Sequence, residues 1–291
     1  LGKTCSAKFV MVQGGGLSVK SNMKSGTVKV EDSDIEYISF GKGSQVLIML
    51  PGLGDGLKTV KGGALPFFIA YRSFSEKYRV YAFSRKNHME MGYSTRDMAK
   101  DQAKAMEILG IDAAYVMGIS QGGMIAQHLA IDYPHLVERL VLAVTASRPN
   151  KTIQTVIKFW IDMAERGDYK SLIIDTAEKL YSEKYLRKLR LVYPILGRVG
   201  KPKDFTRFIV QAHSCLQHNA HCELPKITCP TLVVGGSEDK IVGPAASYEI
   251  ADQIGNSILF IYPDLGHGLY EEAASDYNGR DMDFLSTSVT Y

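Results

Sequence analysis

Gly118-Ile119-Ser120-Gln121-Gly122 is the stretch of this sequence that decides the fold, and it follows directly on the apolar run Ala114–Met117. The run predicts a buried strand, and a helix is predicted to open at Gln121, so the serine falls in a sharp turn between the two. Flanking glycines leave room for the backbone that such a strained turn brings close. The hydroxyl is then exposed beside helical N–H groups that favour negative charge. We therefore expect Ser120 to be a nucleophile.

Outward from this turn, several further short runs are apolar on both faces. Such runs predict strands that are covered by helices on either side, as in a parallel sheet. The predicted strands are Val46–Leu50, Ala114–Met117, Leu140–Val144, Leu232–Val234 and Ile258–Ile261. Thr27–Glu31 and Ile35–Phe40 alternate enough to predict antiparallel strands at the sheet edge. Because helical segments lie between the strands, the predicted fold class is α/β, with a doubly wound, mostly parallel sheet.

The alternation of strands and helices breaks between about residues 151 and 223. This stretch predicts several helices and no clear strand, with helices over Ile153–Ala164, Ser171–Tyr181 and Phe205–His218. A purely connecting insert of this length is unusual. We therefore interpret residues 151–223 as a helical cap inserted into a core of residues 1–150 and 224–291. The alternative is that these helices simply cover one face of the sheet.

A serine hydroxyl needs a base to become a nucleophile at neutral pH. Of the seven histidines, His267 lies just past the last predicted strand, in the segment Pro263–Gly268. When the catalytic residues follow one another as serine, acid and histidine, the base belongs on such a late loop. His88 and His135 lie in early loops and His128 lies inside the helix after the serine, so we expect structural roles for them. His267 is the predicted base.

The base needs a carboxylate to orient it, and two acids compete for that role. Glu238 and Asp239 both follow the strand at Thr231–Val234, in a loop that can reach the histidine loop. Their position in the chain leaves the choice between them open. Strand ends are also places where acids commonly cap turns.

A glycine-rich loop, Leu50–Gly56, is a candidate for stabilising the oxyanion of an acyl-transfer reaction. Glycines let backbone N–H groups approach a substrate closely. In the usual arrangement, one donor follows the nucleophile and a second comes from such an early loop, which predicts Gln121 and Leu53 as the oxyanion donors. A phosphate-binding role is excluded, because the loop has neither a Gly-Lys-Ser/Thr ending nor a Gly-x-Gly-x-x-Gly pattern.

The chain resembles the α/β-hydrolase superfamily over most of its length. The segment Gly118–Gln127, followed by Leu140–Val144, is similar to the branch that contains enol-lactonases, small esterases and cofactor-free haloperoxidase-like enzymes. In that branch the acid stands in a pattern like Gly236–Val242, where it aligns with Asp239. The resemblance therefore implies that Asp239, and not Glu238, completes a catalytic triad with Ser120 and His267.

Two segments depart from the pattern of that family. The family often has His-Gly before the oxyanion residue, where this chain has Pro51-Gly52. It often has an Asp-x-Arg-Gly-like turn after the fourth strand, where Ser84–His88 stands here. These departures bear on the substrate and leave the triad intact.

The composition excludes several broad classes of protein. The chain has 291 residues, 45% of them hydrophobic, and 34 basic against 31 acidic residues give a net charge of +3. This balance is too near neutral to indicate nucleic acid or a charged membrane as a partner. No run reaches the roughly 18 apolar residues of a membrane span, and Leu1–Val12 is too weakly apolar for a signal peptide. Four cysteines are few for a disulfide-held scaffold, so we expect free thiols in a cytoplasmic protein.

A second cluster of reactive residues lies near the end of the predicted cap. It comprises His213, Cys215, His218, His221, Cys222 and Cys229. Cys215, His218 and Cys222 have spacings that would place them on one helix face, and zinc binds such side chains. The spacing is not that of a standard zinc finger, and prolines interrupt its later part. We therefore expect ordinary helix packing and no metal.

These observations predict a serine hydrolase that forms an acyl-enzyme on Ser120 and uses no cofactor. The expected partner is a small or medium carboxylic ester or lactone, bound under the cap at the carboxyl ends of the strands. The same triad serves several chemistries, so the alternatives are a carbon–carbon bond hydrolase, a perhydrolase and a haloperoxidase-like enzyme. A non-catalytic receptor for a small ligand is a further alternative. The sequence does not predict the oligomeric state.

Overall fold

The computed structural model describes residues 23–196 and 200–287, and its centre is an eight-stranded sheet. In chain order, the strands are β1 (Lys24–Val30), β2 (Ser33–Phe40), β3 (Gln45–Leu50), β4 (Tyr78–Lys86), β5 (Ala114–Ile119), β6 (Val137–Ala143), β7 (Thr231–Gly236) and β8 (Ser257–Tyr262). Strands β5, β6 and β7 lie side by side, so the segments that follow them meet at one edge of the sheet.

The topology is that of a doubly wound, mostly parallel sheet. The spatial order of the strands is β1-β2-β4-β3-β5-β6-β7-β8. β1, β2 and β4 pair antiparallel, whereas every pair from β4 through β3 to β8 is parallel. The predicted α/β class and the predicted antiparallel edge are therefore confirmed.

Seven of the eight strands coincide with predicted strands, and β4 is the one that the apolar runs did not reveal. The carboxyl end of β4 carries Ser84, Arg85 and Lys86, and all three are buried. A search for continuous apolar runs misses such a strand, because polar residues interrupt the run. These residues are buried only because other parts of the fold supply their hydrogen-bond partners. The prediction also extended β6 to Val144, but the strand ends at Ala143 and Val144 has a φ of +45°.

The sheet separates two apolar layers, and alternate side chains of its central strands pack into one layer or the other. Leu47 and Met49 of β3 pack on one face of the sheet, and Ile48 and Leu50 pack on the other. All four are almost completely buried, which the apolar run in this strand predicted. Both faces of the sheet are thus covered, as expected of parallel strands.

Helices cover both apolar layers and the edge of the sheet where the parallel strands have their carboxyl ends. None of the helices in the described residues is long and apolar enough to cross a membrane. The helices are α1 (Ala64–Tyr71), α2 (Thr95–Ile108), α3 (Gln121–Asp132), α4 (Lys151–Glu165), α5 (Tyr169–Leu180), α6 (Glu183–Leu189), α7 (Tyr193–Leu196), α8 (Thr206–Gln217), α9 (Ala245–Gln253), α10 (Leu269–Glu272) and α11 (Ala274–Ser286).

Five of these helices, α4 to α8, lie between β6 and β7. Helices α4, α5 and α8 match the three predicted there, and α6 and α7 are two shorter ones that the sequence pattern missed. The described part of this segment contains no strand. Its apolar side chains, among them Ile153, Trp160 and Phe208, form a third apolar cluster together with Leu53 and Met124 of the core. The division into core and cap at residues 150 and 223 stays a prediction.

The C-terminal helix α11 holds α1 in place through one buried polar contact. Asn278 Nδ2 donates to the carbonyl of Ala70 over 2.9 Å. One turn further along α11, Asp281 is completely buried, and its carboxylate oxygens have no hydrogen-bond partner in the described residues. Burial raises the pKa of Asp281 to about 8, because the charged form loses its hydration.

We expect Asp281 to make the protein less stable as the pH rises from about 4 to about 8. In the unfolded chain this carboxyl loses its proton near pH ~3.9, whereas the folded protein retains it to about pH 8. Ionisation therefore favours the unfolded state over that interval. The melting temperature of the wild type should fall more between pH 5 and pH 8.5 than that of Asp281→Asn. Parallel pH profiles for the two proteins would contradict this account.

Candidate active site

Ser120 lies in a strained turn between β5 and α3. Its φ of +54° and ψ of −120° are a conformation that residues with side chains rarely adopt. The neighbouring glycines are required by close backbone contacts. A Cβ at Gly118 would lie 2.5 Å from the Gly122 carbonyl oxygen, and a Cβ at Gly122 would lie 1.9 Å from the carbonyl oxygen of Leu50. The turn therefore has the geometry that its sequence predicted.

His267 is held by a buried carboxylate. Its Nδ1 donates to Asp239 Oδ2 over 2.8 Å, and both side chains are at most 3% exposed. A carboxylate accepts only, so the ring proton resides on Nδ1 and the Nε2 lone pair is left free. This is the tautomer that a general base requires.

Asp239 is fixed in turn by the backbone of its own loop. Its Oδ1 accepts from the amides of Ile241 and Val242 over 2.8 and 2.9 Å. Although burial alone would raise its pKa, the contact with His267 and these backbone hydrogen bonds hold the pKa of Asp239 below its ordinary value. The carboxylate therefore stays ionised. Glu238, the competing acid, is exposed to solvent.

The two predicted oxyanion donors flank the serine. Leu53 begins a single turn of 3-10 helix, Leu53–Gly56, directly after β3. Gln121 is the first residue of α3. The amide N–H of a residue at the start of a helix has no acceptor within the helix. The side chain of Gln121 points to the neighbouring helices instead, where its Nε2 donates to the carbonyl of Gln211 over 2.7 Å.

One cavity of about 370 Å³ is lined by Ser120, His267 and Leu53. Trp160 of α4 contributes to its wall, whereas the neighbouring Phe159 is 47% exposed. In the described part of the chain, no hydrogen bond joins Ser120 to His267. Such contacts are often long in an enzyme without its substrate and shorten when the substrate binds.

A buried ionic cluster, which the sequence did not reveal, supports the oxyanion loop. Asp55, inside that loop, accepts through Oδ2 from the Arg207 guanidinium of α8 over 2.5 Å and from the amide of Arg85 over 3.1 Å. Arg207 also donates to the carbonyls of Asp55, Arg85 and Lys86. The Arg85 guanidinium donates to the carbonyl of Pro51. This cluster ties the helices between β6 and β7 to the loop that carries Leu53.

The sequence contained two signals of this cluster. Asp55 lies in the glycine-rich loop, and Arg85 lies in the segment Ser84–His88 that departs from the family pattern. Nothing in the spacing of Arg207 connects it with either of them. Its partners are 121 to 152 residues away in the chain, so the cluster depends on tertiary structure.

The candidate metal cluster near the end of α8 is dispersed in the structure. The helix ends at Gln217, so His218 and Cys222 both lie beyond it and do not share a helix face with Cys215. His218 is buried, and its Nδ1 is 2.9 Å from the hydroxyl of Thr95. In the described residues, no group of three His, Cys, Asp or Glu side chains is arranged to bind a metal. That the protein needs no metal stays a prediction.

Cys215 instead lines the same cavity as Ser120. It is a free cysteine, as are Cys222 and Cys229. Burial raises the pKa of the Cys215 thiol to about 12, because the thiolate would lose its hydration. The thiol therefore remains protonated at neutral pH and does not compete with the serine as a nucleophile.

The fold and this site define the class of protein. The model of the α/β-hydrolase fold family matches residues 45–274, which span every element that carries the site, and the chain belongs to that family. The predicted superfamily is therefore confirmed.

Three relatives illustrate the range of this family. A protein named as a non-heme bromoperoxidase, from Mycobacterium tuberculosis, is 27% identical over 87% of this chain and 98% of its own length. A 2-hydroxy-6-oxononadienedioate/2-hydroxy-6-oxononatrienedioate hydrolase from a Pseudomonas species is 24% identical over 97% of both chains. The solved structure of an enol-lactonase from Burkholderia xenovorans covers 90% of this chain and 100% of its own, with a TM-score of 0.79 and 21% identity.

We expect Arg207→Met to destabilise the protein, because it leaves the buried carboxylate of Asp55 without its main partner. The Asp55 side chain is fully buried and that of Arg207 is 15% exposed. Removing one member of a buried ion pair costs about 3 kcal/mol of unfolding free energy, and methionine keeps much of the apolar stem of the arginine. Urea unfolding measures the difference.

Arg190→Met is the matched control for this substitution. Arg190 also lies between β6 and β7, directly after α6, and donates to two carboxylates, Glu178 and Glu183, but each of these three side chains is at least 34% exposed. Exposed ion pairs contribute little to stability. Equal losses of stability in the two variants would show that the contacts of Asp55 stabilise the protein no more than exposed ion pairs do.

Proposed function

We propose that this protein is a serine hydrolase that cleaves a small or medium carboxylic ester or lactone through an acyl-enzyme on Ser120. The observation that carries the proposal is the orientation of His267, whose Nδ1 is bound to a buried Asp239 and whose Nε2 remains free. A base of the right tautomer and a strained serine line one cavity. This combination is what acyl transfer by a serine requires.

In the first half of the reaction, Ser120 Oγ attacks the carbonyl carbon while His267 Nε2 takes the hydroxyl proton. The carbonyl oxygen becomes an oxyanion, which the amides of Leu53 and Gln121 stabilise. The tetrahedral intermediate then collapses. The bond from carbon to the leaving oxygen breaks, and the leaving oxygen takes the proton from His267.

The second half repeats these steps with water. His267 accepts a proton from the water as its oxygen attacks the acyl carbon, and a second tetrahedral intermediate forms. When it collapses, the bond between Ser120 Oγ and the acyl carbon breaks, and the serine recovers the proton from His267. Asp239 keeps the imidazole oriented and stabilises its charged form throughout.

The wall of the cavity supports an apolar substrate. Ile153 and Ile157 of α4, together with Ile241 and Val242 after β7, form much of it. A volume of about 370 Å³ is at the small end of the range for ligand pockets. One structural relative is an enol-lactonase, and one relative in sequence is a carbon–carbon bond hydrolase, so an assay panel should contain esters, lactones and a substrate of that second kind.

We expect Ser120→Ala to abolish ester hydrolysis, with a loss of kcat approaching ~10⁶-fold by analogy with other serine hydrolases. The substitution removes the nucleophilic oxygen but leaves the oxyanion donors in place. A fluorophosphonate probe should label the wild type on the peptide that contains Ser120, as peptide mass spectrometry will show. Circular dichroism and the melting temperature of the variant control for its folding. Labelling of another serine, or turnover by a folded Ser120→Ala protein at the wild-type rate, would refute the proposal.

We expect Asp239→Asn to lose far more activity than Glu238→Gln, by a factor of ~10³ or more in kcat. An amide at position 239 offers a donor to His267 and so favours the wrong tautomer of the ring. Glu238 is exposed, and its neutralisation leaves the pair of His267 and Asp239 unchanged. Steady-state kinetics on one activated ester measures both variants. A larger loss in Glu238→Gln would reverse the assignment.

A further inference from the structure

A second cavity adjoins the one that contains Ser120. Its volume is about 520 Å³, and it lies between α1, the strands β3 and β5, and the start of α11. The two cavities share part of their wall, namely Pro51, Gly52, Gly63, Phe67, Tyr270 and Glu271. Gly52 is also next to the nucleophile, since a Cβ there would be 3.3 Å from Ser120 Cβ. The second cavity therefore begins beside the turn that carries Ser120.

The second cavity is mainly apolar. Its floor is formed by Met49, Met117 and Ile119, which are the sheet side chains under α1. Its single charged side chain is Glu271, which stands in the shared wall and accepts a hydrogen bond from Tyr181 over 2.5 Å. Beyond that wall, the lining offers hydrocarbon contacts and few partners for a polar ligand.

The outer end of the second cavity is open to solvent. Pro66 and Ala70 of α1 line it, and both are exposed, whereas Met117 at the floor is fully buried. A ligand that enters from the serine would therefore pass from a buried section to an open one. Such a space accepts flexible chains of different lengths.

The position of His267 decides which part of an ester would enter this space. His267 lines the first cavity and does not line the second. Because the histidine must give its proton to the leaving oxygen, the leaving group belongs in the first cavity. The acyl group is then free to extend past Gly52 and Phe67 into the second.

We propose that the second cavity is an acyl-chain site, and that the preferred substrates are esters of unbranched, medium-chain carboxylic acids. This inference rests on the proposed function, since it names the substrate class of that same site. Each methylene that enters the cavity raises kcat/KM by up to about fourfold, because apolar area leaves water. Bulky, branched acyl groups are disfavoured at the junction, where the rings of Phe67 and Tyr270 form part of the wall.

The test is a series of p-nitrophenyl esters from acetate to octanoate, assayed on the wild type and on variants that fill the second cavity. For the wild type we expect kcat/KM to rise along the series. Ala70→Phe, on one wall, should lower the ratio of octanoate to acetate activity at least about tenfold. Ala274→Phe fills the cavity from the opposite wall and serves as a second variant if the first does not fold. Ala245→Phe, an equal substitution at an exposed position of α9 outside both cavities, should leave the ratio unchanged.

Three results would overturn this inference alone. One is an unchanged ratio of octanoate to acetate activity in both folded filling variants. A second is a response confined to esters with a long alcohol part, such as octyl acetate, which would place the leaving group in the second cavity. The third is acetate turnover that depends on Ser120 but is insensitive to acyl length. The absence of any Ser120-dependent ester hydrolysis would instead overturn the proposed function on which it rests.

Discussion

The structure of this site depends on the direct backbone contact between the end of strand β3 and the first turn of helix α3. The backbone at Gly122 passes so close to the Leu50 carbonyl that no side chain fits between them, because a Cβ would lie 1.9 Å from that oxygen. This contact joins the end of β3, which leads into the oxyanion loop, to the turn that carries Ser120. The position of Ser120 relative to the loop that carries Leu53 is thus set by close backbone packing, which is barely compressible. The strain at Ser120 is stabilised by the buried sheet on both sides, since β3 and β5 are parallel neighbours in its centre.

The parts of the site that the sequence predicted are those encoded locally. The turn at Ser120 is specified by its own five residues, and His267 by its place after the last strand. The choice between Glu238 and Asp239 was different, because both follow the same strand and their spacing does not distinguish them; only the resemblance to a family favoured Asp239. In the structure the difference is the orientation of the loop, which buries one carboxylate against two amides and exposes the other.

The features that the sequence did not predict depend on charges buried by partners far away in the chain. Strand β4 was missed because its end is polar, and its end is polar because Arg85 contacts Asp55 and the Pro51 carbonyl. Arg207 lies within the predicted helix Phe205–His218, and its side chain is only 15% exposed. No pattern of hydrophobicity along the chain distinguishes such a residue from an arginine on the surface. The second cavity likewise results from how α1 and α11 pack, and neither helix was predicted.

Hydrogen bonds join the helices between β6 and β7 to two loops of the core, the glycine-rich loop Leu50–Gly56 and the loop that carries His267. Arg207 fixes α8 to the oxyanion loop, and the amide of Gly268, next to His267, donates to the carbonyl of Leu180 at the end of α5 over 2.7 Å. A segment held at two such points does not swing open as a rigid lid. Small molecules then reach the cavity through side-chain rotations and local loop motions, which are faster than domain closure by several orders of magnitude. New substrate ranges on this scaffold would accordingly evolve by exchange of the side chains that line the cavity, without any change in how the helices between β6 and β7 attach to the core.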